Sequence, residues 1–138
     1  MDEVFPTITG GELRALIREF GYDEARLIDT AAGTPLIQTE LDGISFSVFL
    51  YDCRGGPPMA CGGFGFSAGF DIPGEVDAAQ LSNWNRQRRF GVAFADDQGV
   101  YLSLNVNIEG GVTRANIEDT LQLWEQALTD FADYIGWR

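Results

Sequence analysis

Lysine and histidine are both absent from this chain of 138 residues, so all nine of its positive charges are arginines. Without lysine the protein cannot form a Schiff base with a carbonyl substrate, and it has no lysine for a P-loop. Without histidine it lacks the usual general base near neutral pH, the commonest metal ligand and any histidine that could accept a phosphoryl group. We therefore expect a protein that is not an enzyme.

Positive charge is scarce as well, because nine arginines stand against 21 acidic residues and give a net charge of −12. Nucleic acids are bound through clustered cations that neutralise phosphates, so this balance argues against a nucleic-acid partner. It argues equally against an anionic membrane surface as a partner. The sequence also indicates no cofactor.

Long apolar runs are missing too, since none approaches the roughly 20 residues that a helix needs to cross a bilayer. The N-terminal residues MDEVFP are acidic and contain neither the basic region nor the apolar region of a signal peptide. These two observations predict a cytoplasmic protein.

Cysteine occurs only twice, at Cys53 and Cys61. A zinc site would need two further ligands, which the chain cannot supply as histidines. A disulfide that closes a hairpin is conceivable, but for a cytoplasmic chain we expect two reduced, partly buried thiols. A thiol-redox protein that uses this pair is the least favoured of the functional classes.

The residues that are present predict a single folded domain over 1–138, with 45% hydrophobic residues and short alternating segments. Capping patterns at Thr9, Asp77 and Thr113 indicate three helices: Thr7–Phe20, Asp77–Phe90 and a long one after Thr113. The last helix is predicted to carry one apolar stripe, formed by Ile117, Leu121, Trp124, Leu128, Phe131 and Ile135. Apolar alternation indicates six strands: 25–29, 35–41, from Ile44, 61–70, 91–95 and from Val100. Asp42–Gly43 is predicted to form a two-residue hairpin turn before Ile44, and Asp96–Gly99 to form the turn between the last two strands. The order α-β-β-β-β-α-β-β-α predicts an α+β fold, an antiparallel sheet with helices packed on one face.

The face of the sheet that turns away from the helices is predicted to carry small residues and a few aromatic ones. These are Ser45, Ser47, Phe49, Tyr51, Gly65, Ser67, Ala93, Ala95, Tyr101, Ser103 and Asn105. Such a face suits close approach by a second copy of the chain or by another protein. The alternative is a solvated face whose aromatic residues have no special role.

The predicted central helix, Asp77–Phe90, holds three of the nine arginines. Arg86, Arg88 and Arg89 fall in its last turn, where cations favour the negative end of the helix dipole; this interpretation is preferred to an anion site. Trp84 is interpreted as a core anchor, and Asn85 as a residue that satisfies backbone groups where the helix meets the next strand. The functional alternative is that Asn85 and the neighbouring arginines recognise an anionic ligand or a carboxylate of a partner.

One glycine pattern, Gly63–Ala68, matches the dinucleotide-binding motif G-x-G-x-x-A on paper. Its glycines lie within an alternating strand and no helix begins there, so the context is wrong for that motif. We therefore predict no catalytic, cofactor-binding or metal-binding residues.

Several segments together resemble the YbjN-domain proteins, a family described as bacterial sensory transduction regulators. They are GFSAGFD at Gly65–Asp71, LSNWNR at Leu81–Arg86, the strand from Phe90 to Asp97, and EGGVT before the last helix. The resemblance extends from about Gly21 to the last helix. It implies a fold similar to that of the type III secretion chaperones, which are small, acidic, often homodimeric proteins that bind other polypeptides.

The function that we expect is therefore that of a non-enzymatic regulatory or chaperone-like domain, which binds an unidentified protein and forms a homodimer. The candidate contact residues are Asn85, Arg86, Arg88, Arg89, Phe49, Tyr51, Tyr101 and Asn105. The alternative is a ligand-sensing domain that binds a small anionic metabolite near the three arginines of the central helix.

Overall fold

A computed structural model describes residues 3–30 and 33–137 of the chain. They form three helices and eight strands. In chain order these are β1 (Val4–Phe5), α1 (Gly10–Phe20), β2 (Arg26–Asp29), β3 (Pro35–Leu41), β4 (Ile44–Arg54), β5 (Ala60–Phe70), α2 (Ala78–Gln87), β6 (Val92–Ala95), β7 (Val100–Asn107), β8 (Val112–Thr113) and α3 (Arg114–Tyr134).

Six of the strands form one antiparallel sheet in the order β2-β3-β4-β5-β7-β6. The predicted hairpin at Asp42 and Gly43 is confirmed, since both residues have the positive φ angles, 49° and 84°, of a tight two-residue turn. The predicted α+β class is confirmed as well. Strands β1 and β8 were not predicted, because they pair with each other over only two residues and are too short to show an alternation pattern.

The predicted capping residues are confirmed at each helix, but α1 begins at Gly10, three residues later than predicted. Thr9 and Glu12 form a capping box at the start of α1, and Asp77 and Gln80 form another at the start of α2. Thr113 caps α3. Helix α2 ends at Gln87, three residues earlier than predicted, because the backbone of Arg88 is already extended.

The core lies between the helices and one face of the sheet. The predicted apolar stripe of α3 is buried at Ile117, Leu121, Trp124, Leu128 and Phe131. The ring of Trp124 stacks on Phe66 of β5 at a centroid distance of 5.3 Å. None of the described helices combines the length and apolar character that crossing a membrane requires.

The register of β6 corrects one prediction. Ala93 pairs with the buried Leu102 and Ala95 pairs with the buried Val100, so both alanines lie on the helix side of the sheet and not on the opposite face. Val92 and Phe94 take their place on the face without helices. The small alanines lie beneath α2, where the helix and the strand approach closely.

The state of the cysteines corrects another prediction. Cys53 of β4 and Cys61 of β5 are direct cross-strand partners, and a disulfide joins them, so the expectation of two reduced thiols is wrong. The pairing register of the hairpin brings the two side chains together on one face. The disulfide closes the end of the hairpin next to the loop 55–59.

Candidate functional site

The face of the six-stranded sheet that carries no helix, here called the open face, is the first candidate surface. Its exposed side chains differ from those of an ordinary solvated sheet, because bulky apolar groups alternate with serines. Phe49 is 46% exposed, Phe94 48% and Val92 57%. Single exposed apolar residues are common on proteins, but this group shares one face of one sheet.

A groove of about 690 Å³ crosses the open face. Its lining includes the small residues Ser47, Ser67 and Gly69 and the aromatic residues Phe49 and Tyr101. The charged residues of its lining are Glu24, Arg26 and Glu40, one cation and two anions. The lining of the groove therefore combines small side chains with neighbouring apolar and charged ones.

Tyr101 and Phe94 form an aromatic pair at one end of the open face. Their rings stack at a centroid distance of 5.2 Å, and the hydroxyl of Tyr101 donates to Asp96 Oδ1 at 3.0 Å. Partial burial, this hydrogen bond and the charges of the nearby Asp96, Asp97 and Asp71 raise the pKa of Tyr101. The pair thus offers a flat apolar surface with an acidic border.

The carboxylate of Asp96 is fixed by the turn that joins β6 to β7. It accepts hydrogen bonds from the amides of Gln98 at 2.8 Å and Gly99 at 3.1 Å, in addition to the Tyr101 hydroxyl. These donors, the Gln98 amide first, hold the pKa of Asp96 below its usual value. The sequence predicted the turn, but it did not predict that Asp96 would orient an aromatic side chain of the open face.

Two side chains cover glycines of β5 on the open face. The ring of Tyr51 lies so close over Gly63 that an added Cβ would clash with its Cε2, and a Cβ placed on Gly65 would clash with Asn105 Oδ1. The glycines of the G-x-G pattern therefore make room for neighbouring side chains, a packing role that needs no nucleotide.

Tyr51 is held by the backbone of the sheet. Its hydroxyl donates to the carbonyl of Phe64 at 2.8 Å and accepts from the amide of Val106 at 3.1 Å. Burial raises its pKa. Of the predicted contact residues on this face, Tyr51 is thus committed to the sheet, whereas Phe49 and Tyr101 border the groove.

Helix α2 closes the free edge of β6. Asn85 Nδ2 donates to the carbonyl of Ala93 at 2.9 Å, and the amide of Ala93 donates to Asn85 Oδ1 at 2.8 Å. Trp84 Nε1 donates to the carbonyl of Gly91 at 3.0 Å. The predicted role of Asn85 at the helix–strand junction is confirmed, and the predicted core position of Trp84, 2% exposed, is confirmed too.

The three arginines of the predicted central helix point to different places. Arg88 pairs with Asp130 of α3 at 2.7 Å, and its guanidinium carbon lies 4.4 Å from the centroid of the Trp84 ring. The hydrogen bond from Arg88 lowers the pKa of Asp130. Arg86 lines a groove with Ser82, Asn85 and Ala95, and Arg89 lines a separate groove beside Phe90. The structure therefore does not gather the three guanidinium groups into one site.

Two surface residues were missed by sequence reasoning, Val92 and Phe94. A four-residue strand with apolar residues at every position has no polar face to show which side is buried. The available signal was side-chain size, since alanines at alternate positions are typical of a strand that packs closely against a helix. Within the described part of the chain, no group of three acidic or cysteine residues is arranged to hold a metal ion.

Comparison with known protein families identifies a relationship. The family model YbjN, described as "Putative bacterial sensory transduction regulator", matches residues 10–137, which is nearly the whole chain. No curated protein and no solved structure matches the chain.

Proposed function

Since the chain belongs to the YbjN family, we propose that it is a non-enzymatic regulatory domain that acts by binding protein, and that its open face binds a second copy of itself. The observation that supports this proposal is the exposure of Phe49, Val92 and Phe94 on a six-stranded sheet that has helices on one side only. Burial of apolar groups that share one face against another surface removes them from water and lowers the free energy.

The residues between the aromatic groups favour close approach. Ser47, Ser67 and Ser103 are successive cross-strand partners, so a row of small side chains runs across three strands. Small residues let a facing surface come near the backbone, while Phe49 on one side and the Phe94–Tyr101 pair on the other would supply the buried apolar contacts.

The test is the solution mass of the full chain, measured by size-exclusion chromatography with light scattering across a dilution series. We expect a dimer of twice the 15.2 kDa chain mass that dissociates on dilution. Replacing Tyr101 with arginine places a charge at the aromatic end of the proposed contact and should weaken the dimer by about tenfold or more, the equivalent of about 1.4 kcal/mol.

The matched control is Asn83→Arg, which adds the same charge on the exposed side of α2, away from the sheet. This variant should dimerise like the unmodified chain. A protein that is monomeric at every concentration, or a dimer that Tyr101→Arg leaves unchanged, would contradict the proposed use of the open face.

A further inference from the structure

On the side that faces β6, the second half of strand β7 has no partner strand among the described residues. Its whole length, Val100–Asn107, pairs with β5, but β6 covers only the part from Val100 to Ser103. Within residues 3–30 and 33–137, no strand pairs with Leu104–Asn107 on the β6 side. An unpaired strand edge is a row of backbone donors and acceptors that fits another extended chain.

The direction of these backbone groups follows from the neighbouring strand. The Ala93 amide and carbonyl bond outward to Asn85, so in the antiparallel β6–β7 ladder the residues that bond across are Val92 with Ser103 and Phe94 with Tyr101. Alternation along β7 then directs the amides and carbonyls of Asn105 and Asn107 to the same side as those of Ser103. They point into the space that β6 leaves empty.

That space is a groove of about 410 Å³, here called the edge groove. Leu104 and Val106 of β7 line it on the helix side, together with Leu123 of α3, and Phe90, which is 48% exposed, stands at one end. A strand laid against Asn105 and Asn107 would direct alternate side chains between β7 and α3, onto this apolar lining.

The charge and the shape of the groove favour a chain end. Arg89 is the charged residue of the lining, in a protein whose net charge is −12. Val92 already occupies the next place along the edge, so a strand that runs antiparallel to β7 has to end beside Phe90 and Gly91. A chain that ends there brings a carboxylate, which a guanidinium binds well.

We propose that the edge groove binds the C-terminal segment of a protein as an added strand, antiparallel to β7. Two apolar side chains at alternate positions pack against Leu123 and Val106, and the terminal carboxylate pairs with Arg89. This site is distinct from the dimer contact proposed for the open face, and it identifies the kind of partner that the domain would recognise.

The test uses short peptides of alternating valine and threonine, with a free or an amidated C-terminus, titrated into the isotope-labelled full chain. The free-acid peptide should shift the NMR signals of the Asn105 and Asn107 amides and slow their hydrogen exchange. It should bind about tenfold more tightly than the amidated peptide, the equivalent of about 1.4 kcal/mol. A peptide that is N-methylated at the alternate amides facing β7 should not bind, because it cannot donate the backbone hydrogen bonds that join it to β7.

Arg89→Gln should abolish the preference for the free acid, whereas the matched control Arg86→Gln, on the same segment but outside the edge groove, should keep it. The proposal is overturned if no peptide binds at millimolar concentration or if the NMR shifts fall on other residues. It is also overturned if the free-acid and the amidated peptide bind equally tightly. Peptide binding should survive Tyr101→Arg, so failure of the dimer proposal and failure of this one give different results.

Discussion

At the scale of single residues, polar side chains of this protein mainly fix the backbone around the open face. Tyr51 bonds the paired backbones of β5 and β7, and Asp96 holds the turn between β6 and β7 while it accepts from Tyr101. The sequence identified Tyr51 and Tyr101 as members of one face because side-chain alternation is a local rule. It could not separate the tyrosine committed to the sheet from the one that borders the groove, because that depends on contacts across three strands.

The first prediction concerns the titration of Asp96. Because the Gln98 amide and the other donors stabilise its charged form, the pKa of Asp96 in the folded protein should lie below the ordinary aspartate value of about 3.9. A depressed folded pKa stabilises the fold above the unfolded pKa, and this contribution is lost as the pH falls through the folded pKa. A carboxyl-carbon NMR titration measures the value directly.

Tyr101→Phe is the control for this titration. It removes one donor and leaves the Gln98 amide, the largest contributor, so the pKa should rise and still remain below about 3.9. Titration of Asp96 at or above that value in the unmodified protein would show that the turn does not hold its carboxylate as described.

At the scale of elements, the predictions that succeeded rest on interactions within a few residues. The capping boxes of α1 and α2 and the Asp42–Gly43 turn join residues at most three apart. The side of the sheet that Ala93 and Ala95 face was not predictable in this way, because α2 decides it. The disulfide was not predictable from the expected cell compartment, because the register of β4 and β5 is what brings the two cysteines together.

The second prediction concerns the contact between α2 and β6. Asn85→Ala removes two hydrogen bonds to the Ala93 peptide and should lower the free energy of unfolding by about 2 kcal/mol, measured by chemical denaturation. It also frees a strand edge, so light scattering should show increased self-association.

Asn83→Ala is the matched control, since Asn83 is an exposed residue of the same helix. This change should leave the free energy of unfolding within about 0.5 kcal/mol of that of the unmodified protein. It should also leave the self-association measured by light scattering unchanged. Equal effects of the two substitutions would mean that helix propensity, and not closure of the strand edge, explains the result.

At the scale of the whole molecule, the net charge of −12 opposes the association that the open face favours. Two such chains repel each other over distances comparable to the Debye length, about 10 Å at 0.1 M salt. The groove on the open face includes both Arg26 and Glu40, so opposite charges on two facing copies could attract each other while the net charges of the two chains repel.

The third prediction follows from this balance. Added sodium chloride should strengthen the dimer, because it screens the overall repulsion more than it weakens the buried apolar contact. Sedimentation equilibrium at several salt concentrations measures the dissociation constant. A dimer that salt weakens would instead be held mainly by ion pairs, and the apolar residues of the open face would not be its main contact.

The hydrogen bonds between the Asn85 side chain and the Ala93 backbone also limit how far copies of this sheet could polymerise. A sheet lengthens by adding strands at its edges, as a polymer grows at its ends, and α2 acts as a chain terminator at the β6 end. Two copies joined through their β2 edges would carry a terminated β6 at both outer ends. Growth through β2 would then stop at two chains, whose outer ends would keep the edge groove beside β7 open to one further strand.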